Sequence, residues 1–155
     1  MPPAREVCGT QKAKRRMRQL SAIVCDQTPL ILPETATVEV ACRHMGARRA
    51  GSVLVTDQTG HLIGIFTGRD AVCSVLAQAK RASATPLSEV MTRHPVTMSP
   101  DKSAIDALRL MWDGGFRHLP IVDGDKIIAC VSRSDFNGEE LGQLDDEREL
   151  WEHLR

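Results

Sequence analysis

The chain has 155 residues, 42% of them hydrophobic, and its 20 basic and 20 acidic side chains leave no net charge. That length suits one compact domain or two small lobes sharing a core, and zero net charge removes any global pull toward nucleic acid. With no tyrosine, three phenylalanines and two tryptophans, the stacking platforms that hold single strands are missing as well.

Residues 1–24 read as a basic arm or helix. Through residue 20, Arg5, Lys12, Lys14, Arg15, Arg16 and Arg18 stand against Glu6 alone. A first unit spans 25–85. It opens on an apolar strand, Pro29-Leu30-Ile31-Leu32. Thr37 is placed to cap a helix carrying Val38, Ala41 and Met45 on one stripe, with Gly46 late in it. Val53-Leu54-Val55 and Leu62-Ile63-Gly64-Ile65-Phe66, joined by a glycine-containing turn, predict a hairpin. A helix is expected from Ala71 to about Lys80, and Gln78 to Thr85 form a polar link.

The second unit, 86–137, repeats the first. Ser103 opens a helix with Asp106 three residues on, as in a capping box, and Gly114-Gly115 stop it. Leu119 to Val122 and Ile127 to Val131 predict a second hairpin. Trp112, on the intervening helix, fits either a core or a dimer face. Residues 138–155 read as an acidic C-terminal helix. From residue 139, seven acidic residues (Glu139, Glu140, Asp145, Asp146, Glu147, Glu149 and Glu152) face only Arg148 and Arg155. Its start is placed near Asp145, with Leu144, Trp151 and Leu154 on one face. Three apolar anchors would not hold it alone in water, so it is expected to dock on the module or on a partner subunit. The oppositely charged termini are either simply solvated or drawn together, within one chain or across a dimer.

The repeat is the most informative feature. Gly64-Ile65-Phe66-Thr67-Gly68-Arg69-Asp70 returns as Ala129-Cys130-Val131-Ser132-Arg133-Ser134-Asp135. Thr37–Met45 answers Ser103–Met111 at an offset of 66, and Asp70 answers Asp135 at 65. The lost residue falls in the tight turn after Asp57, where an indel leaves both strands in register. Each copy is strand, helix, strand, turn, strand, helix. About 60 residues alone would bury too little apolar surface, which gives the pairing a physical reason. Two like surfaces packed together also make clefts, and clefts bind small molecules.

Chemistry of other kinds is not legible. The five cysteines, Cys8, Cys25, Cys42, Cys73 and Cys130, are scattered, and no pair has metal-ligand spacing. No apolar run suggests a signal peptide or a membrane span, so free cysteines fit a reducing cytoplasm. No phosphate loop, nucleophile elbow or zinc-protease signature is present, and no enzyme is expected.

The paired signatures, with Val90-Met91-Thr92-Arg93-His94-Pro95-Val96 and Gly115-Phe116-Arg117-His118-Leu119-Pro120-Ile121-Val122-Asp123, resemble the cystathionine-β-synthase (CBS) domain pair, also called a Bateman module. The resemblance covers about residues 25–137. It implies a mixed α/β (α+β) fold of two β-α-β-β-α units about a pseudo-twofold axis, with clefts between them. It further implies a stand-alone regulatory module that pairs into a flat four-repeat homodimer. Its ligands would be adenosyl compounds (AMP, ADP, ATP, S-adenosylmethionine, sometimes NADH), with no required cofactor. Output would pass through dimer geometry or through a protein partner yet to be identified. Ligand-binding candidates follow. Asp70 and Asp135 would accept from ribose hydroxyls, and Thr67 and Ser132 would bond a phosphate or ribose oxygen. Arg69 and Arg133 would offer charge to phosphates. Ile31, Leu32, Ala50 and Val53 would form an adenine slot. His118 and the neighbouring Pro120 lie where the family approaches ligand, and Arg48 and Arg49 could reach a phosphate or simply end a helix. Asp70 has a plainer reading as a helix N-cap, and His118 as a solvent-facing strand end. Ala129 in place of Gly64 is expected to narrow the second cleft, and Asn137-Gly138 to cut short its last helix, leaving the Thr67/Asp70 site the better formed. Two other functions compete: a ligand-free dimeric scaffold working through its charged tails, and, more weakly, nucleic-acid binding by the basic arm.

Overall fold

The computed structural model describes residues 18–154; the basic arm upstream of Arg18 and the terminal Arg155 fall outside them. Each hairpin forms where strand periodicity places it. In the first half, β2 (Ser52–Thr56) pairs antiparallel with β3 (Leu62–Thr67), from Ser52 opposite Thr67 outward. The short β4 (Thr92–Arg93) pairs antiparallel with β3, and in the second half β5 (His118–Asp123) pairs with β6 (Lys126–Ser132), from His118 opposite Ser132. Both turns carry a left-handed glycine, Gly60 at φ 85° and Gly124 at φ 58°, a conformation glycine adopts without a Cβ clash.

The opening strands are unequal. β1 (Ile31–Pro33) runs parallel to β2, whereas its counterpart in the second half shrinks to a single parallel bridge between Met98 and Ile121. The helices between opening strand and hairpin match expectation. α2 (Val38–Arg48) is capped by the Thr37 hydroxyl, which accepts from the Val40 N–H at 3.3 Å; α5 (Ala104–Gly114) is capped by Ser103, which accepts from Asp106. α5 ends on Gly115 in the left-handed region, while α2 ends there on Arg49.

Two cores result, and each is completed by a segment from outside its own repeat. α4 (Leu87–Val90) sends Leu87 and Val90 into the first core, among Val38, Val53, Val55 and Phe66. α1 (Leu20–Val24) sends Leu20 and Val24 into the second core, among Ala104, Leu108, Leu119 and Val131. Backbone bonds repeat between the halves, at offsets of 66 and 67: Leu87 N–H to Ala36 O matches Leu20 N–H to Lys102 O, and Val38 N–H to Thr85 O matches Ala104 N–H to Arg18 O. Residues 18–24 are therefore part of the folded body, and the halves are interlocked rather than merely adjacent. Fully burying a Val, Leu or Phe contributes about 1.5–3 kcal/mol, so each half depends on the exchange.

Three expectations are corrected. The helix after the first signature begins earlier and stops sooner than Ala71 to Lys80. It starts as α3 (Gly68–Asp70), widens into a π-helical stretch at Ala71–Leu76, and is broken before Lys80 by Ala79 at φ 51°. The helix after the second signature is cut short as expected, to one turn at Arg133–Asp135 with Phe136 extended, but Asn137 also starts the next helix. The Asn137 side chain accepts from the Glu140 N–H at 3.1 Å, and Glu140 accepts from the Asn137 N–H, opening α6 (Gly138–His153) well before Asp145. Of the three residues expected on one face of α6, only Leu144 is buried; Trp151 and Leu154 are 69% and 70% exposed.

Trp112 lies at the surface, not in a core. Its ring is covered by the guanidiniums of Arg148 at 3.9 Å and Arg133 at 5.0 Å. One pair from the oppositely charged ends meets within the chain: Arg18 donates from Nε and Nη2 to the two Glu140 oxygens at 2.8 and 2.9 Å.

Candidate functional site

Two clefts open between the halves, and each draws one wall from either repeat. The first, about 830 Å³, has Thr67, Gly68, Arg69 and Asp70 on one side. Opposite stand Thr92 and His94–Val96, with Phe116–His118 closing the end. The second, about 700 Å³, sets Ser132–Asp135 against Gln27–Leu30 and Arg48–Ser52. The signature of one repeat thus always faces the opening segment of the other. Interlocking the halves about a pseudo-twofold axis produces that crossing.

The signatures themselves are reciprocal caps. The strand ends at Thr67, and Thr67 rather than Asp70 occupies the N-cap position; Asp70 sits at the third helical residue. Asp70 Oδ2 accepts from the Thr67 N–H at 2.9 Å and from its hydroxyl at 3.1 Å, while Thr67 Oγ1 accepts from the Asp70 N–H at 3.3 Å. Among the described residues the other oxygen, Oδ1, takes only a long 3.4 Å contact from Thr92. In the second copy Asp135 Oδ2 accepts from the Ser132 N–H at 2.7 Å. Among the described residues nothing donates to Asp135 Oδ1. In each carboxylate one oxygen serves the backbone cap, and the other is open to a further hydrogen-bond donor.

Of the other candidates, Arg69, Arg133, Ala50 and His118 line a cleft, and so do Arg48 and Arg49. Ile31, Leu32, Val53 and Pro120 do not, which corrects the expected adenine slot. Val53 is fully buried opposite Phe66, Leu32 packs on the first core, and Ile31 is 41% exposed on β1. Pro120 is buried between the core residues Leu119 and Ile121. The apolar wall of the second cleft comes instead from Pro29 and Leu30, just before β1, and that of the first from Pro95, Val96 and Phe116. Nor does Ala129 narrow the second cleft. Its methyl lies wholly within the second core, and Gly64 is required for another reason: a Cβ there would stand 2.4 Å from Met91 Sδ.

Gly51, Arg117 and His118 line both clefts. Gly51 and Ser52 are the repeat counterparts of Arg117 and His118, so the four meet at the axis. The imidazole of His118 occupies the space a Gly51 side chain would fill: a Cβ on Gly51 would stand 2.7 Å from Nε2. Burial holds the His118 pKa below its ordinary value, with Asp135 opposing that shift and Arg117 adding to it. Beside it, the Cys130 thiol contacts Ser52 Oγ at 3.4 Å, and burial pushes its pKa up to about 11. Such a thiol is protonated and inert at neutral pH. Sequence reasoning missed Phe116, Arg117 and Gly51 as cleft residues. The signal was the crossing of walls, which matches each signature with the other repeat's hairpin lead-in.

Among the described residues no group of three or more His, Cys, Asp or Glu side chains is placed to hold a metal, and no helix is long and apolar enough to cross a membrane.

Comparison with known proteins agrees with this geometry. The CBS domain family matches residues 20–76 and 87–140. The chain is similar to the CBS domain-containing protein CBSCBSPB2 of Arabidopsis thaliana, 39% identical over 130 residues, covering 84% of this chain and 23% of that protein. It is also similar to the CBS domain-containing protein YhcV of Bacillus subtilis, 36% identical over 99 residues, covering 64% of this chain and 69% of YhcV. The chain spans only about a fifth of the length of the Arabidopsis relatives. Among solved structures, the CBS domain protein PAE2072 from Pyrobaculum aerophilum, complexed with AMP, superposes with a TM-score of 0.74 at 21% identity. That match covers 83% of this chain and 98% of the other, and is a likeness of fold.

Proposed function

Since the chain belongs to the CBS domain family and carries the domain twice, we propose that it is a regulatory module that binds adenosyl ligands in its two inter-repeat clefts and has no catalysis of its own. The observation that carries this reading is the crossed construction of the clefts. Each sets a hydroxyl and a half-free carboxylate, Thr67/Asp70 or Ser132/Asp135, against an apolar wall from the other repeat. A ribose offers vicinal hydroxyls to such a carboxylate, and a purine needs such a wall. The AMP complex of PAE2072 supports the ligand class. Because both walls of a cleft come from different halves, ligand would favour one relative arrangement of the halves, and the module would report that change through a homodimer or a protein partner.

A thermal-shift panel of AMP, ADP, ATP, NADH and S-adenosylmethionine on the wild type, Asp70→Asn and Asp135→Asn tests the proposal. Asparagine retains the acceptor that caps the turn, so the variants should stay folded. Ligand at one hundred times its Kd stabilises by about 2.7 kcal/mol, a readily measured rise in Tm. The expected result is stabilisation of the wild type, reduced in each variant. No shift with any adenosyl compound at millimolar concentration would sink the proposal.

A second reading, that of an interaction scaffold, is favoured by one observation: Leu150, Trp151 and Leu154 at the end of α6 are all more than 60% exposed. Deleting residues 145–155 should then abolish self-association or partner capture, read by sedimentation, while leaving ligand-induced stabilisation intact.

A further inference from the structure

The two clefts are related by the repeat but not by charge. Position by position, Arg48-Arg49-Ala50 in the first repeat stands where the second repeat has Gly114-Gly115-Phe116. Because the walls cross, the arginines line the second cleft, and Gly115 and Phe116 line the first. The second cleft therefore gathers four guanidiniums, Arg48, Arg49, Arg117 and Arg133, around the single carboxylate of Asp135. The first has only Arg69 and Arg117 beside Asp70, and in exchange gains an aromatic wall.

Resting on the adenosyl-ligand reading above, we propose that the clefts divide ligands by charge. The second takes a nucleoside di- or triphosphate, and the first an adenosyl compound with at most one phosphate.

Two structural details support the division. The C-terminal end of a helix presents carbonyl oxygens, which repel phosphate. Both α2 and α5 end at a cleft, but only α2 carries guanidiniums there to reverse that field. The Arg48 guanidinium is also held in place within the first-repeat wall of the second cleft, donating to the Thr28 carbonyl at 2.7 Å. Second, Arg49 lies at φ 51°, where the other repeat uses Gly115 at φ 68°. A non-glycine residue held in this left-handed region is strained, and such strain concentrates where a side chain is needed. Helix-end solvation alone would have been served equally well by an unstrained glycine.

The second cleft carries its own reporter. Trp112 lies 5.0 Å from the Arg133 guanidinium, so a phosphate that draws Arg133 away changes the indole environment. In a Trp151→Phe background this leaves one tryptophan. The experiment titrates that full-length chain with adenosine, AMP, ADP, ATP and inorganic pyrophosphate, at low salt and without divalent metal. Calorimetry and Trp112 fluorescence are followed together, and the series is repeated with Arg48→Gln/Arg49→Gly. The expected result is a fluorescence-detected site that binds ATP about tenfold or more tightly than AMP, the worth of one charge-assisted hydrogen bond. The double variant should lose that gain, while the calorimetric AMP site that is silent in fluorescence keeps its affinity. An ATP affinity no greater than that for AMP, or a preference that survives the double substitution, overturns the proposal and leaves the adenosyl-ligand function standing. Pyrophosphate binding as tightly as ADP overturns the nucleotide part of the assignment. Failure of every nucleoside compound to bind the unsubstituted chain overturns both this proposal and the function on which it rests.

Discussion

Gly51→Ala tests the shared axis directly. The new methyl would be built 2.7 Å from His118 Nε2 and 3.3 Å from Cε1, with no backbone atom among its three nearest neighbours. Optimal carbon contacts lie at about 3.5–4.0 Å, so the imidazole must move by roughly 1 Å. The ring is the end of a rotatable side chain, and an off-rotamer displacement costs about 0.5–1.5 kcal/mol. Gly51 has no positive φ, so alanine fits the backbone and recovers about 0.4–1 kcal/mol by restricting the unfolded chain. The two effects nearly cancel, and Tm should change by no more than a few degrees. The titration of His118 should change more. Burial holds its folded pKa below the unfolded value of 6.5, so the unfolded state binds the proton more readily. That contribution to stability is fully present above pH 6.5 and is lost as pH falls from there through the folded pKa. Pushing the ring outward should raise the folded pKa and flatten this acid limb. NMR titration of the His118 ring protons, with thermal melts from pH 5 to 8, measures both. A His118 pKa unchanged by Gly51→Ala would refute the idea that the glycine makes room for the ring at the axis. A drop in Tm of 10 °C or more would show that the ring is locked rather than movable.

Two further experiments probe the interlock of the halves. Gly64→Ala would set a Cβ 2.4 Å from Met91 Sδ and 3.1 Å from the Thr92 carbonyl, where the second repeat's lead-in packs on β3. Overpacking of this kind costs about 1–3 kcal/mol, whereas Gly68→Ala, with nothing within 4 Å, should be neutral within about 0.5 kcal/mol in denaturant titration. The Arg18–Glu140 fork joins the segment before α1 to α6, with the Glu140 side chain 12% exposed. A double-mutant cycle with Arg18→Ala and Glu140→Gln should give a coupling of about 1 kcal/mol that shrinks in high salt; zero coupling would mean that the pair is merely tolerated.

Most of the fold was legible because local signals agreed with one another. Thr37 and Ser103 cap their helices, Gly60 and Gly124 turn their hairpins, and a repeat offset carried each assignment from one copy to the other. The candidate site was legible at its signatures, where Thr67, Asp70, Ser132 and Asp135 all reach a cleft. It was not legible at the apolar wall of either cleft. Which residue of a short strand faces a cleft depends on where pairing begins, and β1 starts at Ile31, which leaves Leu30 rather than Ile31 or Leu32 at the opening. The exchange of α1 and α4 between cores was equally hidden, because an apolar stretch such as Leu20–Val24 specifies burial but not against which neighbour. Asn137-Gly138 illustrates a third limit. The pair lies just past the end of one short helix and caps the next, and the reciprocal bond from Glu140 shows the second role.

The axis shows where the two repeats had to diverge. If both repeats kept an arginine and a histidine at positions 51–52 and 117–118, two cations and two rings would compete for the space between the clefts. If both kept glycine and serine, the space would be a void connecting them. One repeat supplies the side chains and the other the room, so His118 fits because Gly51 has no Cβ. That economy has a consequence for ligand binding. Arg117 and His118 border both clefts, so a phosphate that attracts Arg117 into one withdraws positive charge from the other. Two anionic ligands should therefore bind the chain less tightly together than separately, while uncharged adenosine should show no such penalty. The asymmetry at the axis leaves Arg117 shared, so only the arginines at the end of α2 set the charge of the second cleft apart.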